Sequence, residues 1–251
     1  MIASNMIAQL VGLAVGVAVL AGCANTGGVS LPVLSGEPRL RVAQAAEEAG
    51  DLGMAEELYS AASTAEPRNA VVQLRYADLL VRRGRTGEAR ELLERHMSTV
   101  SDPLHLRGGI GALYVLTGEP AHAVAEYDAI LAARPNDLRA TVNKAIALDL
   151  LRRHEEAQPL YRIALAKAPR DPVVINNMAL SLMLSGRGNE GEALVAQIRH
   201  RADLQPRIRA GMAVVMASNG DVAGGKAVGG DRLSEAQLAE LSDAARSVMP
   251  R

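Results

Sequence analysis

The chain has 251 residues, 49% of them apolar and 22% charged, with 27 Lys and Arg against 28 Asp and Glu and a net charge of -1. That balance is ordinary for a folded chain, and with no large basic block it argues against a nucleic-acid binder. With no Trp, no Phe and five Tyr, any core has to be built from Leu, Ala, Val, Ile and Met.

In chain order, residues 6–21 (MIAQLVGLAVGVAVLA) come first as an uninterrupted weakly polar to apolar run. It is short for a membrane-spanning helix of about 20 residues. Its length and small-residue end fit a secretory signal over 1–22. An uncleaved anchor is the alternative. Cys23 closes this run and is the chain's one cysteine, so no intramolecular disulfide can form. Residues 23–36 are polar and Gly-rich and read as a flexible tether.

From residue 37 a fixed period takes over. Ala55, Ala89, Ala123 and Ala157 lie 34 residues apart. Tyr59, Tyr127 and Tyr161 follow these alanines by four residues, and Pro67, Pro135 and Pro169 follow them by twelve. Gly50, Gly84 and Gly118 precede them by five. Gly closes a first helix by taking a left-handed conformation, and a small Ala lets a second helix approach closely. Tyr falls one turn later on the same face, and Pro stops the helix. The unit is a helical hairpin, and a period of this length predicts an all-α solenoid with no convincing period-two strand.

The spacing predicts helix pairs over 38–49 and 53–65, 70–83 and 86–99, 104–117 and 120–133, 138–151 and 154–167, and 172–185 and 189–202. Arg152 stands where a turn Gly is expected. Unit five reads as carrying two extra residues, with Gly186 and Gly188 ahead of Ala193. A sixth first helix is predicted over 206–218. Its second helix is not visible in the Gly-rich 220–230 (GDVAGGKAVGG). A closing helix over 235–248 starts at Ser234, which forms a capping box with Gln237. The solenoid therefore spans 37–219, with a Gly-rich segment and a capping helix over 220–251.

Catalytic and cofactor motifs are weak. Gly220-x4-Gly225-Lys226 opens like a phosphate-binding loop but continues into Ala227, without the hydroxyl that holds magnesium. Gly186-x-Gly188-x-x-Gly191 spells a dinucleotide fingerprint, yet it lies between two helices with no strand before it. His96, His105, His122, His154 and His200 have no partner at metal-ligand spacing. No catalytic residue, cofactor, metal or small-molecule substrate is expected.

The period, and YVLTGEPAHAVAEYDAILAARP at 114–135 above all, resembles the tetratricopeptide repeat (TPR). In that family the first helices line a concave groove that holds peptides. Carried onto this chain, one groove position reads Arg41, Arg75, Gly109, Asn143 and Asn177. The next reads Gln44, Asp78, Ala112, Ile146 and Leu180, and the third Glu47, Val81, Val115, Asp149 and Met183. The resemblance thus implies a partner-binding groove formed by Arg41, Gln44, Arg75, Asp78, Ala112, Val115, Asn143, Ile146, Asn177, Leu180 and Met183, polar in its first two units and apolar later. Asn143 and Asn177 fit either a bound peptide or a hydrogen-bonded tie between repeats, with the tie favoured. The apolar stretch suits the buried face of an amphipathic partner helix or core beneath 235–248.

Leu20-Ala21-Gly22-Cys23 resembles the bacterial lipoprotein signal, although 1–22 lack the usual Lys or Arg. The resemblance implies cleavage before Cys23 and lipid attachment to it. Ala24 is not the aspartate that retains lipoproteins at the inner membrane, which implies the periplasmic face of the outer membrane. INNMALSLMLSGRGNEGEALV at 175–195, PRIRAGMAVVMASNGD at 206–221 and DRLSEAQ at 231–237 together resemble the TPR lipoprotein of the tight-adherence (Tad, or Flp) pilus system. That implies a non-enzymatic assembly factor with protein partners, the pilus secretin or other Tad subunits, and a pilotin-like role. Another envelope scaffold, for outer-membrane protein assembly or cell-wall remodelling, is the alternative, and a nucleotide-binding enzyme using Gly225 and Lys226 is the less favoured one.

Overall fold

The computed structural model describes residues 38–230 and 233–249. Cys23, the signal over 1–22 and the tether over 23–36 lie outside the described residues. Among the described residues there are thirteen α-helices and no strand. The first unit of the period is α1 (Pro38–Glu48) with α2 (Leu52–Ala65), and the second is α3 (Ala70–Arg82) with α4 (Thr86–His96). Then come α5 (Pro103–Leu116) with α6 (Pro120–Ala133), and α7 (Leu138–Leu150) with α8 (His154–Lys167). The fifth and sixth are α9 (Pro172–Leu184) with α10 (Gly188–Ala196), and α11 (Pro206–Ser218) with α12 (Val222–Gly229). The closing helix is α13 (Glu235–Val248).

Local chemistry sets these limits. Side-chain oxygens of Asp51, Asn69, Asp102, Asp137, Asp171 and Asp221 accept backbone N–H groups at the starts of α2, α3, α5, α7, α9 and α12. Each satisfies a donor that the first turn leaves without an intrahelical partner. Ser234 and Gln237 form the expected capping box on α13. Between the two helices of each hairpin the chain turns through a left-handed residue: Gly50, Gly84, Gly118, Gly186 and Gly220, and Arg152 at φ 61°.

These six turns are evenly spaced by 34 residues, which corrects the reading of unit five. The unit carries no insertion. Gly191, not Ala193, occupies the ladder position after Ala157, and Gly225 occupies the one after that. Gly191 is buried in α10, where a Cβ would stand 2.6 Å from the carbonyl oxygen of Ala179. Gly225 is buried in α12, where a Cβ would stand 2.7 Å from the carbonyl oxygen of Ala213. Ala179 and Ala213 are themselves 34 apart, so one close helix crossing is built twice. The Gly-rich stretch is thus the sixth hairpin's second helix rather than a linker.

The described residues divide into two compact units, 38–130 and 131–249 less the two positions outside the description. In the first, Ala55, Tyr59, Ala62, Val72 and Leu79 pack with Leu40 and Ala43. Ala77, Ala89, Leu93, Leu106, Ala112 and Leu113 form a second cluster. In the second unit, α9 packs on α7, α8, α10 and α11, and α13 packs on α9, α11 and α12. Its α9 (PVVINNMALSLML) is buried at every residue from Val174 to Leu184. It is the central helix of this unit, covered by its neighbours on all sides.

Candidate functional site

In the unit 38–130, the groove positions fall on α1, α3 and α5. Arg41 is exposed, and Gln44 and Arg75 are half-buried. Neither arginine makes an ion pair among the described residues. Asp78 is 6% exposed, and its carboxylate accepts Arg82 at 2.9 Å. Arg82 also pairs with Glu47, and Glu47 accepts the Tyr59 hydroxyl at 2.8 Å. This chain of contacts joins the first hairpin to α3. Burial raises the Asp78 carboxyl, with the Arg82 charge opposing it. Burial, and then the Glu47 carboxylate, push the Tyr59 hydroxyl well above the usual tyrosine range. Ala112 is fully buried and Val115 half-buried.

In the unit 131–249 the corresponding positions are mostly internal. Asn143 is half-buried, but Ile146, Asn177, Leu180 and Met183 are 8%, 5%, 5% and 1% exposed. As placed, these four offer a partner almost no surface. The positions open to one are Arg41, Gln44, Arg75, Val115 and Asn143.

The expected asparagine tie is not formed, since among the described residues neither Asn143 nor Asn177 makes a side-chain hydrogen bond. Asp149 makes it instead, because a carboxylate accepts from several donors at once whereas an amide oxygen accepts from fewer. Its oxygens accept Ser181 Oγ at 2.6 Å and Tyr161 OH at 2.9 Å, and one lies 2.8 Å from His154 Nδ1. Burial raises the Asp149 carboxyl, and hydrogen bonds from His154 and Ser181 act against that. Tyr161, fully enclosed against this carboxylate, is held well above its ordinary range.

Sequence reasoning also missed a second periodic tie. After Ala55, Ala89, Ala157 and Gly191 the next residue reaches the turn of the following hairpin. Glu56 pairs with Arg83 and, at 2.6 Å, with Arg85. Arg90 pairs with Glu119 at 3.2 Å. Gln158 accepts Arg187 at 2.8 Å and donates to Ser185 at 2.9 Å, and Glu192 accepts from Asn219. Separations of 27 and 29 residues recur, a signal that only comparison across the period reveals.

The nucleotide-like motifs serve packing. Lys226 Nζ donates to the carbonyls of Leu233 at 2.6 Å and Gly230 at 3.1 Å. The Asp221 carboxylate occupies the α12 N-terminus, where a phosphate would otherwise be favoured. His105 and His122 are exposed beside half-buried carboxylates, 2.9 Å from Asp102 and 3.5 Å from Glu119. Among the described residues no group of three potential ligands could hold a metal ion, and no helix is long and apolar enough to cross a membrane.

Antiparallel hairpins repeated at a fixed period, without strands among the described residues, define an α-solenoid of stacked helical pairs. Residues 46–103 and 111–172 each match the tetratricopeptide repeat family, so the chain carries TPR repeats in both of its units. Among solved structures, PilW, described as a widely conserved type IV pilus biogenesis factor, matches at a TM-score of 0.65 and 20% identity, over 84% of this chain and 96% of that one. A thermophilic TPR protein of Thermus thermophilus matches at 0.59 and 19%, over 70% and 98%. A MamA RS-1 double mutant matches at 0.52 and 17%, over 71% and 97%. At these identities the likeness is one of fold. No curated protein matches the sequence.

Proposed function

We propose that this chain is a non-enzymatic TPR scaffold that binds protein partners during pilus assembly, held by a lipid on Cys23 at the periplasmic face of the outer membrane. The hairpin array carries this reading: it presents preformed helix faces, so binding costs little ordering of the scaffold. PilW, a pilus biogenesis factor, has the same fold over most of both chains. The order of segments over 175–237 supports the Tad, or Flp, system in particular. A pilotin-like role toward the secretin, or capture of other Tad subunits, follows from that resemblance. Leu-Ala-Gly-Cys at 20–23 and Ala24 support the anchor and its membrane.

Arg41 and Arg75 are the binding side chains of choice, because both are accessible and lack an ion-pair partner among the described residues. The partner segment they suit carries carboxylates. Cys23→Ser tests the anchored role. The variant should accumulate with unchanged helical circular dichroism, yet surface pili counted by electron microscopy should be lost. Wild-type piliation from the unlipidated form would overturn the anchor.

A further inference from the structure

In the unit 131–249 the connectors that join one hairpin to the next form a single row. Lys167 Nζ donates to Asn136 Oδ1 at 3.1 Å and to the Asn136 carbonyl at 3.3 Å, tying the end of α8 to the connector before α7. Arg201 repeats this reach one hairpin further on, donating to the Arg170 carbonyl at 2.9 Å. Arg209 then donates to the carbonyls of Leu204, Arg201 and Ala202.

The row holds more cations than its carboxylates neutralise. Asp137 and Asp171 are engaged with backbone N–H groups at the starts of α7 and α9, and Asp203 holds Arg201 at 2.6 Å. Lys167 and Arg209 meet only neutral oxygens. Arg199 contacts only His200, at 3.1 Å. Among the described residues the side chains of Arg170 and Arg207 make no hydrogen bond or ion pair. Arg170 and Arg199 are exposed. Arg207 is half-buried, and burial disfavours its charge with no described carboxylate beside it to offset that.

The same hairpins behave differently at their other end. There Arg153 pairs with Glu156 and Arg187 with Glu190, each at 2.6 Å. Nor do connectors carry such charge in general. Those over 66–69 and 97–102 hold one cation, Arg68, against Glu66 and Asp102. The excess is local to one edge of one unit.

Guanidinium forks match phosphate oxygens, and four of the row's five spare cations are arginines. A row spread over successive connectors meets several anions at once, as a bilayer of anionic phospholipid presents them, and cations near such a surface add their attractions. A polypeptide would need apolar anchors. The side chains exposed among these cations, Pro169, Ala202, Gln205 and Pro206, include no large apolar one.

We propose that Lys167, Arg170, Arg199, Arg207 and Arg209 dock the unit 131–249 on a bilayer surface rich in anionic phospholipid. The proposal takes from the anchored reading only which bilayer is met, since the row carries its charge with or without a lipid on Cys23.

The test uses the full chain with Cys23→Ser, so that one introduced thiol carries a fluorophore. It is added to vesicles of phosphatidylcholine alone or with about one third phosphatidylglycerol, both bearing a headgroup spin label that quenches fluorophores touching the surface. At Ala202→Cys, within the row, quenching should be at least about three-fold stronger on the anionic vesicles, and the difference should be lost in about 0.5 M salt. At Glu155→Cys, exposed at the other end of the hairpins, the two vesicles should quench alike. Arg170→Glu/Arg199→Glu should abolish the difference at residue 202 with unchanged helical circular dichroism. Equal quenching there in both vesicles, or a difference that survives the charge reversal, would overturn the proposal. So would polyglutamate shielding residue 202 from a soluble quencher where anionic vesicles do not, which would assign the row to an acidic polypeptide. Because residue 23 is Ser throughout, failure of the row and failure of the anchor are read separately.

Discussion

Two residue types at repeated positions carry measurable consequences. Arg152 performs a turn that Gly performs at five other positions, and its φ of 61° is costly for a side chain with a Cβ. The left-handed conformation costs about 1–2 kcal/mol, and the contacts of an exposed arginine return less than about 1 kcal/mol. Arg152→Gly is therefore expected to stabilise the fold by about 1 kcal/mol and raise Tm by about 2–4 °C in thermal circular dichroism. Tyr59 and Tyr161 act in the opposite direction at high pH. Both hydroxyls donate to carboxylates, and both are held protonated above the ordinary tyrosine pKa of about 10. The folded chain then keeps protons that the unfolded chain releases. Their contribution is complete below pH 10 or so and is lost as pH rises toward the folded values. Tyr59→Phe/Tyr161→Phe should unfold less steeply between about pH 10 and 12 in urea titrations, while being weaker at pH 7 by about 1 kcal/mol per lost hydrogen bond.

Helix pairs are held by what their contact positions leave out. Ala normally exceeds Gly in a helix interior by about 1 kcal/mol, so Gly191→Ala and Gly225→Ala look stabilising on propensity alone. In place, a methyl group would press on the backbone carbonyls of Ala179 and Ala213, and backbone cannot step aside as a flexible side chain can. Each substitution is expected to destabilise by about 1–3 kcal/mol, visible as a lower urea midpoint. Ala at both sites with unchanged stability would refute the close crossing. The same glycines explain what was legible in the sequence. Hairpins one to four are legible to within a few residues because capping Asp, turn Gly and closing Pro act locally and leave local marks. Unit five reads out of register, and α12 is invisible in the sequence, because Gly reads as a breaker until the helix it must fit against is known. The period alone puts Asp149 at a groove position. Its role as the tie between the fourth hairpin and α9 depends on Ser181, 32 residues away, which no local pattern discloses.

At the scale of the molecule, one hairpin rule produces two units with different accessible chemistry. The unit 131–249 spends its apolar first-helix positions on its own interior, with Leu180 and Met183 enclosed within α9. The unit 38–130 carries Arg41 and Arg75 at the position that Asn177 takes in α9, and leaves both within reach of solvent. Recognition is therefore expected to be electrostatic and concentrated in the first unit. The double variant Arg41→Glu/Arg75→Glu removes two accessible cations; the Arg75 charge also acts on Asp78 and Tyr59, so helicity should be kept while Tm falls slightly, and Arg41→Glu alone should leave both unchanged. Capture of protein partners from detergent-solubilised membranes, read by quantitative mass spectrometry, should fall at least ten-fold, about 1.4 kcal/mol. Residual wild-type capture should weaken between about 0.05 and 0.5 M salt, since the Debye length contracts over that range. Capture that survives both the charge reversal and high salt would place recognition on an apolar surface instead, and Val115, half-buried on α5, would become the side chain to truncate next.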